Sequence, residues 1–352
     1  MEPIRLGVIG CGVIGTHHVT SAANSPLVEL VAVADMLEER AQAAAEKFNV
    51  PSYYNNDEDL LNDNKVEAVA LAMPVGVRTP IAFKALQKGK HIILEKPAAS
   101  HVEEIEKMIA LRGDRVVACC SPRNAFSAHA EAAKKCVASG TLGKIRIVRV
   151  RAILGAPPHP SDNPPPWRQS MRLNGGGILM NWSCYDLDYL MQLTGWQLRP
   201  RVVLAKWWPV ADKMSAYVAD GSDADSHYTA FISCEDDIVL TMERAEFSSA
   251  TTDQAWEIIG TEGTLHLPMR PQKGKPNAVI LDRFVPGEGV VSEAIWEEGQ
   301  NGGPSGGVLE DFVNAVHGHK QPKTNLERAL VMQKITDAIY ASAESGGAIS
   351  IS

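Results

Sequence analysis

Residues 5–35, RLGVIGCGVIGTHHVTSAANSPLVELVAVAD, decide the fold of this chain. An apolar run leads into a glycine turn with the spacing G-x-G-x-x-G, followed by a helix-forming segment and a second apolar run. The first glycine allows a tight turn, the second lets a phosphate approach the backbone, and the third lets the helix pack against the sheet. The N–H groups at the helix start then face the phosphates. The stretch predicts dinucleotide binding, against a turn that serves packing alone, through Gly10, Cys11, Gly12, Val13, Ile14 and Gly15.

The second apolar run ends in Asp35, twenty residues after Gly15. A carboxylate at the tip of this strand accepts hydrogen bonds from both hydroxyls of an adenosine ribose. It would repel the extra 2′-phosphate of NADP, and Met36 and Leu37 behind it offer no cation to receive one. The sequence therefore predicts NAD as the cofactor.

The composition is that of a water-soluble globular protein. The 352 residues are 45% hydrophobic and 22% charged, enough for two domains, and the net charge of -8 argues against a nucleic-acid or membrane partner. The six cysteines form no C-x-x-C pair, and the histidines show no metal-ligand spacing. We expect a cytoplasmic protein with reduced thiols, no signal peptide, no membrane span and no metal.

The order of predicted elements divides the chain in two. Residues 1–122 alternate apolar strands with helices, which predicts an α/β Rossmann domain with a doubly wound parallel sheet. Residues 123–352 hold several β-rich runs joined by short turns, with helices before and after them. We expect an α+β domain there, with an open, mainly antiparallel sheet that binds substrate and mediates oligomerisation.

Lys96 is the first candidate for chemistry. It lies in Glu95-Lys96-Pro97, directly after a predicted strand of the first domain, at the edge where a nicotinamide would bind. An ammonium there can hydrogen-bond a substrate hydroxyl and stabilise developing negative charge on its oxygen. Most lysines are merely solvated, but Pro97 constrains this one, and its peptide bond is a candidate for the cis form.

A second candidate is the helix that follows Gly175, Gly176 and Gly177. We expect these glycines to let the backbone approach a ligand closely. Asn181, Tyr185, Asp188 and Gln192 are spaced to share one face of the helix. A solvated polar stripe is the plain alternative, but three aromatic residues in the same helix favour burial.

Other candidates are less specific. The segment 155–168 contains six prolines and is either a surface loop or a stiff flap that turns Trp167 and Arg168 towards a ligand. Outside the glycine turn, the predicted contacts to the cofactor or the sugar come from Glu95, Lys96, Arg123, Asn124, Trp167, Arg168 and Asp186. For Arg123 and Asn124 the alternatives are the nicotinamide ribose, the substrate, or a salt bridge between domains.

Together, these motifs resemble the glucose-fructose oxidoreductase / inositol dehydrogenase / MocA-like family over essentially the whole chain. The resemblance implies a Rossmann domain, an open-faced antiparallel sheet, NAD(P), and a sugar or polyol substrate. It places the catalytic lysine of the family's E-K-P motif at Lys96, and it implies that the backbone of Met73 and Pro74 lines the adenine-ribose side of the cofactor. The family helix usually reads D-x-G-x-H-x-x-D, whereas this chain has Asn181 and Tyr185 at the first two acid/base positions and keeps Asp188.

This departure shapes the predicted mechanism. A phenol has a reference pKa of about 10, against about 6.5 for imidazole, so Tyr185 needs a nearby cation such as Lys96 to act as acid/base. Glucose-fructose oxidoreductase-like members of the family are similar in placing tyrosine there. Asn181 cannot take up a proton but can orient a hydroxyl. The hypothesis is that Lys96 and Tyr185 form a proton relay, while Asn181 positions the substrate.

Three functions remain open at this point. The first is a hydride transfer between NAD and a secondary alcohol of a sugar, glycoside or cyclitol. The second is a redox-neutral glycosidase or lyase that oxidises a sugar transiently, eliminates its substituent and returns the hydride. The third is a dinucleotide-sensing binding protein without catalysis. In each case an uncovered sheet face predicts a homodimer or homotetramer.

Overall fold

The computed structural model describes residues 2–272, 274, 276–299 and 306–351. It divides into two compact units: Met1–Ser121 with Gly306–Val331, and Pro122–Ser305 with Met332–Ser352. The sequence predicted one boundary, between residues 122 and 123. In the structure the chain returns to the first unit near its end, so each unit contains two separate stretches of sequence.

The first unit begins with alternating strands and helices. They are β1 (Ile4–Ile9), α1 (Val13–Ala23), β2 (Val28–Ala34), α2 (Glu38–Phe48), β3 (Ser52–Tyr54), α3 (Asp57–Asn62), β4 (Ala68–Leu71), α4 (Val75–Gln87), β5 (His91–Leu94), α5 (Val102–Arg112) and β6 (Val117–Cys119). A short 3-10 helix, Ser121–Phe126, follows.

The remaining elements lie mostly in the second unit. They are α6 (Ala128–Ala138), β7 (Ile145–Gly155), α7 (Met171–Asn174), α8 (Ile178–Leu193), β8 (Pro200–Trp208), β9 (His227–Cys234), β10 (Val239–Ser248), β11 (Asp253–Gly260), β12 (Gly263–Leu267), β13 (Ala278–Val285), β14 (Gly289–Glu297), α9 (Val308–Val316), α10 (Leu326–Ser345) and β15 (Ile349–Ser350). Helix α9 and the start of α10 belong to the first unit.

The first unit contains the predicted doubly wound sheet. Its six strands run parallel in the order β3-β2-β1-β4-β5-β6. The strand order reverses between β1 and β4, and such a switch point opens a crevice at the carboxyl ends of the strands. Every residue of β4 is buried, as expected when helices cover both faces of a parallel sheet. The glycine turn after β1 and the Lys96 loop after β5 therefore lie at the same edge of this sheet.

Local sequence explains where the helices begin and end. Helix α2 has Glu38 and Glu39 in its first turn and Lys47 in its last, which complements the helix dipole. It ends at Asn49, whose left-handed backbone is typical of a helix C-cap. The N-cap of α3 is Asn56, whose side chain accepts a hydrogen bond from the Asp59 N–H.

The second unit is built on a nine-stranded sheet in the order β14-β13-β12-β11-β7-β10-β9-β8-β15. Every pairing is antiparallel except that of β7 with β10, so the predicted open, mainly antiparallel sheet is confirmed. The apolar core lies on one face, where α8 and α10 pack. The sequence did not predict β12 or β14, because β12 is short and β14 is largely exposed and lacks an apolar alternation.

None of the helices in the described part of the chain combines the length and the hydropathy that a bilayer crossing requires.

Candidate functional site

The glycine turn has the geometry that its spacing predicts. Gly10 has a φ of 93°, and a Cβ at Gly15 would lie 1.6 Å from the Gly10 carbonyl oxygen, so α1 packs directly on the turn. Around Gly12 the situation is reversed, because no atom lies within 4 Å of where its Cβ would be. Gly12 is also the N-cap of α1, and no side chain caps this helix. The open space and the free N–H groups suit a phosphate group.

Asp35 lies directly beyond β2, next to this turn. Its Oδ2 accepts a hydrogen bond from the Cys11 N–H at 2.8 Å, and its Oδ1 accepts one from the Leu37 N–H at 2.9 Å. A carboxylate offers about four lone-pair positions, so each oxygen can still accept a hydroxyl. The backbone thus orients the carboxylate that the sequence assigned to a ribose. Cys11 is held in its protonated form, because burial and then the charge of Asp35 raise the pKa of its thiol to about 12.

The loops after β4 and β5 are tied together by a residue that the sequence did not reveal. Arg78 of α4 is buried, and its guanidinium donates to the Met73 carbonyl at 2.7 Å and to the Pro97 carbonyl. The first loop holds the predicted cofactor contacts Met73 and Pro74, and the second holds Lys96. The Lys96–Pro97 peptide bond is cis. A single arginine in a helix belongs to no motif with a recognisable spacing, so the sequence did not identify Arg78.

Glu95 is held by hydrogen bonds on both carboxylate oxygens. His18 Nε2 lies 2.9 Å from Oε1, and the Lys96 N–H donates to Oε2 at 3.1 Å. Burial disfavours the charged form, but the hydrogen bond and charge of His18 and the charge of Arg78 outweigh it and lower the pKa of Glu95 to about 2. An ionised Glu95 therefore fixes the backbone of Lys96.

Cys120 completes a group of three polar side chains at this edge. The ligand atoms of His18, Glu95 and Cys120 all lie within 4.8 Å of one another. Burial, and next the charge of Glu95, raise the pKa of the Cys120 thiol well above its usual value. A metal ion would need a thiolate there, so the surroundings favour the hydrogen-bonded thiol. The sequence showed no such grouping, because its members are far apart along the chain.

In the second unit, α8 begins at an acidic side chain from a distant loop. The Asp225 carboxylate accepts hydrogen bonds from the Gly177 and Leu179 N–H groups, both at 2.8 Å, and from the Tyr340 hydroxyl at 2.6 Å. A Cβ at Gly177 would lie 1.8 Å from the Asp225 carbonyl oxygen, and one at Gly176 would lie 2.0 Å from the Tyr340 hydroxyl. The expectation that these glycines admit a ligand needs correction for Gly176 and Gly177. They admit protein atoms that anchor the helix.

Helix α8 is buried on nearly every side, so it is not a solvated polar stripe. Asn181, Tyr185 and Asp188 are buried, and the Gln192 amide donates to the Asp188 carboxylate at 3.1 Å. Trp182 is half-buried, and its ring centre lies 5.5 Å from that of Tyr185. These two rings form the aromatic surface that α8 presents, and we call them the Trp182–Tyr185 pair.

Asp186 does not take the position that the sequence suggested. It is fully buried, and its carboxylate accepts hydrogen bonds from Arg244 Nε at 2.6 Å, Arg244 Nη2 at 2.9 Å and Trp256 Nε1 at 2.9 Å. We expected it to hold a sugar hydroxyl, but its oxygens are engaged inside the protein. The Arg244 guanidinium also lies 4.8 Å from the Trp182 ring centre. Asp186 therefore holds the arginine that packs against the Trp182–Tyr185 pair.

Arg123 and Asn124 lie in the 3-10 helix Ser121–Phe126. The Arg123 guanidinium is 4.0 Å from the ring centre of Tyr185. The amide nitrogen of Asn124 is buried and has no hydrogen-bond partner among the described residues. Arg123 is thus placed beside the predicted catalytic phenol, and Asn124 has a free donor.

The proline-rich segment is pinned by Glu246. The Arg168 guanidinium pairs with this buried carboxylate, and the Gln169 amide donates to it at 2.8 Å. The next residue, Phe247, has a φ of 56°, unusual for an aromatic residue, at an irregularity in β10. Trp167 is half-buried beside Arg168. The charge of Arg168 is therefore already paired, which leaves Trp167 as the member of this segment that is freer to stack on a ligand.

Comparison with known proteins decides the family. Residues 4–119 match an oxidoreductase family described by its NAD-binding Rossmann fold, and residues 130–266 match the GFO/IDH/MocA C-terminal domain. The chain belongs to the Gfo/Idh/MocA oxidoreductase family. The resemblance inferred from the motifs is thus confirmed, and so are the fold class, the enzyme class and NAD as cofactor.

Relatives of this Gfo/Idh/MocA oxidoreductase extend over its full length. The D-glucoside 3-dehydrogenase of Escherichia coli K12 is 23% identical over 351 residues and covers 98% of this chain and 97% of its own. The 1,5-anhydro-D-fructose reductase of Ensifer adhaerens is 24% identical, with 99% and 98% covered. Among solved structures, levoglucosan dehydrogenase with NADH and levoglucosan superposes with a TM-score of 0.82 at 22% identity, covering 99% and 100% of the chains. At this identity the superposition shows the fold alone.

The Rossmann unit of this family member fits NAD. The open space at Gly12 and the uncapped start of α1 suit the pyrophosphate, and the remaining lone pairs of Asp35 suit the ribose. Met36 beside it is almost fully exposed and carries no charge that would attract a 2′-phosphate.

Proposed function

We propose that this chain is an NAD-dependent dehydrogenase that acts on a secondary hydroxyl of a sugar, glycoside or cyclitol. The observation that carries this proposal is the arrangement at the carboxyl edge of the parallel sheet. There Arg78 and Glu95 hold the Lys96 loop at the same edge as the glycine turn and Asp35. The names of the D-glucoside and myo-inositol dehydrogenases among the relatives support the substrate class.

NAD, when bound, accepts or returns the hydride. Lys96 donates a hydrogen bond to the reacting hydroxyl and stabilises negative charge on its oxygen. Tyr185 takes the hydroxyl proton during oxidation and returns it during reduction, and Asn181 orients the substrate. Because a cation beside a phenol favours its ionised form, Arg123, whose guanidinium lies 4.0 Å from the ring centre, assists Tyr185 in this role. The relay assigns the same assistance to Lys96 once both groups bind one substrate hydroxyl. The proposal requires that Lys96 and Tyr185 reach the same hydroxyl in the ternary complex.

The remaining predicted contacts keep their roles as proposals. The glycine turn, Met73, Pro74, Glu95 and Asn124 serve the cofactor side. Trp167 stacks on the sugar, and Arg168 holds it in place through its ion pair with Glu246.

Lys96→Met and Tyr185→Phe test the relay. Purified protein with NAD is supplied with a panel of sugars, glycosides and cyclitols, and NADH absorbance is followed. Each substitution is expected to lower kcat by about 100-fold or more, the range of general acid/base catalysis, while NAD affinity remains near that of the wild type. Lys65→Met and Tyr53→Phe, at exposed positions, are the matched controls. A wild-type kcat in Tyr185→Phe would exclude the phenol from proton transfer.

A redox-neutral glycosidase or lyase reaction is the second candidate. It is favoured by Asn181, which is buried at a position where the family usually has aspartate and cannot accept a proton. Such an enzyme would release the aglycone of a chromogenic glycoside without accumulating NADH. The same panel distinguishes the two reactions, and tight NAD binding without any turnover would instead indicate a dinucleotide sensor.

We also propose self-association as a homodimer or homotetramer, in the cytoplasm. Leu204 of β8 and Phe231 of β9 pair across the strands, and both are 53% exposed on the sheet face opposite the core. The six cysteines are all free thiols, as expected in a reducing compartment. Sedimentation of the wild type and of Leu204→Glu tests the first point, and a monomeric wild type would refute it.

A further inference from the structure

Three arginines surround the Trp182–Tyr185 pair. Measured to the Trp182 ring centre, the guanidinium carbons of Arg270, Arg244 and Arg123 lie at 4.6, 4.8 and 6.0 Å. Arg123 is closer to Tyr185, at 4.0 Å. Arg244 is buried, whereas Arg123 and Arg270 are exposed. Two of the three cations therefore face solvent beside the aromatic rings.

The charges of these arginines are not balanced within the protein. Asp186 forms its ion pair with the buried Arg244 and also accepts the Trp256 N–H, and its charge acts on Arg270 only from beyond ion-pairing distance. Among the described residues, no carboxylate lies within ion-pairing distance of Arg123 or Arg270, although most exposed arginines of the sheet, such as Arg151 and Arg283, have one. Arg123 and Arg270 thus have no ion-pair partner of their own among the described residues.

Arg270 is the arginine on which both other guanidinium groups act. Partial burial, followed by repulsion from Arg244 and Arg123, lowers the pKa of its guanidinium. The local excess of positive charge also contrasts with the net charge of -8 of the whole protein. An excess of like charge beside a half-buried aromatic surface is costly unless a ligand neutralises it.

The aromatic rings also orient the guanidinium groups so that their N–H groups can bind a ligand. Stacking on a ring uses the flat face of a guanidinium and leaves its N–H groups free at the edge. Those N–H groups match carboxylate and phosphate oxygens in a bidentate geometry. Tryptophan and tyrosine rings in turn pack well against the apolar faces of a sugar. The cluster therefore combines an anion-binding element and a sugar-binding element.

We propose that the sugar ligand of this protein carries an anionic group, a carboxylate or a phosphate, and that Arg123 and Arg270 bind it beside the Trp182–Tyr185 pair. This inference rests on the proposed function, because it places the sugar at the predicted catalytic Tyr185. It adds a class of ligand and a residue, Arg270, that the motifs did not indicate.

Matched sugars separate the two sources of the negative charge. D-glucose, D-glucuronate and D-glucose 6-phosphate share one ring, and the galactose and mannose series give equivalent triples. Each compound is assayed with the full-length protein and NAD for NADH formation, and its binding to the NAD-loaded protein is measured by calorimetry. The variants are Arg270→Gln and Arg123→Gln. Arg283→Gln, which removes an exposed sheet arginine paired with Glu293, is the charge-matched control.

The expected result is a preference of the wild type for one of the two anions over the neutral sugar. In Arg270→Gln, kcat/KM for the anionic sugar relative to the neutral sugar should fall by about tenfold, because a charge-assisted contact is lost. The control Arg283→Gln should keep the wild-type ratio. Raising the salt concentration should reduce the same ratio. The identity of the preferred anion distinguishes a sugar acid from a sugar phosphate.

The outcomes for this inference and for the proposed function can be told apart. Efficient oxidation of neutral sugars, with the anionic-to-neutral ratio unchanged in both variants, overturns the inference and leaves the dehydrogenase proposal intact. Arginine-dependent anion binding without oxidation of any compound supports the inference and contradicts the dehydrogenase proposal. Failure of every anion to bind the NAD-loaded wild type at millimolar concentration overturns the inference directly.

Discussion

Asp186→Asn tests the buried ion pair behind the aromatic surface. Asp186 and Arg244 are 0% and 1% exposed, and the pair is bidentate. The substitution is nearly isosteric, and the asparagine oxygen can still accept the Trp256 N–H, so the main change is the loss of one charge. The Arg244 guanidinium is then left buried and unpaired, which typically costs about 3–5 kcal/mol. That is a large share of a stability of about 5–15 kcal/mol.

Thermal unfolding of the full-length protein, followed by calorimetry and near-UV circular dichroism, measures this loss. For a unit of this size, 1 kcal/mol corresponds to about 2–4 °C, so Tm should fall by about 6–20 °C. The control is Glu293→Gln, which breaks the Arg283–Glu293 pair on the exposed face of the sheet and should cost at most about 1 kcal/mol.

The double variant Asp186→Asn/Arg244→Met removes both charges, keeps an acceptor for the Trp256 N–H and should recover much of the lost stability, because no uncompensated charge remains. Equal, small effects of Asp186→Asn and Glu293→Gln would refute the view that the buried pair supports the Trp182 surface. So would a double variant no more stable than Asp186→Asn.

Three further predictions concern the cofactor unit and the open sheet. Gly15→Ala should abolish NAD binding and destabilise the fold, because the new Cβ would lie 1.6 Å from the Gly10 carbonyl oxygen. Gly12→Ala has room for its Cβ and should weaken NAD affinity without lowering stability. Fluorescence titration with NAD and thermal melting measure the two effects. Arg78→Met should lower kcat more than NAD affinity, since it frees the Lys96 loop, and an unchanged kcat would refute its positioning role. The hydrogen bond to Glu257, against partial burial, raises the pKa of His266 to about 8. The folding stability that protonated His266 contributes is fully present below about pH 6.5 and is lost as the pH rises through about 8. NMR titration of the His266 imidazole should give a pKa of about 8.

The departures from expectation share a cause. Asp186 was grouped with the substrate contacts because it lies in a polar stretch of a helix, but its partners Arg244 and Trp256 come from β10 and β11. The triple glycine was assigned to a ligand, whereas Asp225 and Tyr340 occupy the space beside it. In both cases local sequence indicated a special position correctly but did not identify its partner.

By itself, the sequence determined the cofactor unit. The glycine spacing, the acid at the end of the second strand and the alternation of strands and helices are local patterns, and local backbone geometry requires them. Tertiary structure alone decided the surroundings of Trp182 and of the Lys96 loop. Arg78, Asp225, Arg244 and Arg270 show no spacing signal, because sheet pairing and burial bring them to their partners from distant parts of the chain. A side chain's charge can be read from the sequence, but whether that charge is paired depends on what the fold places beside it.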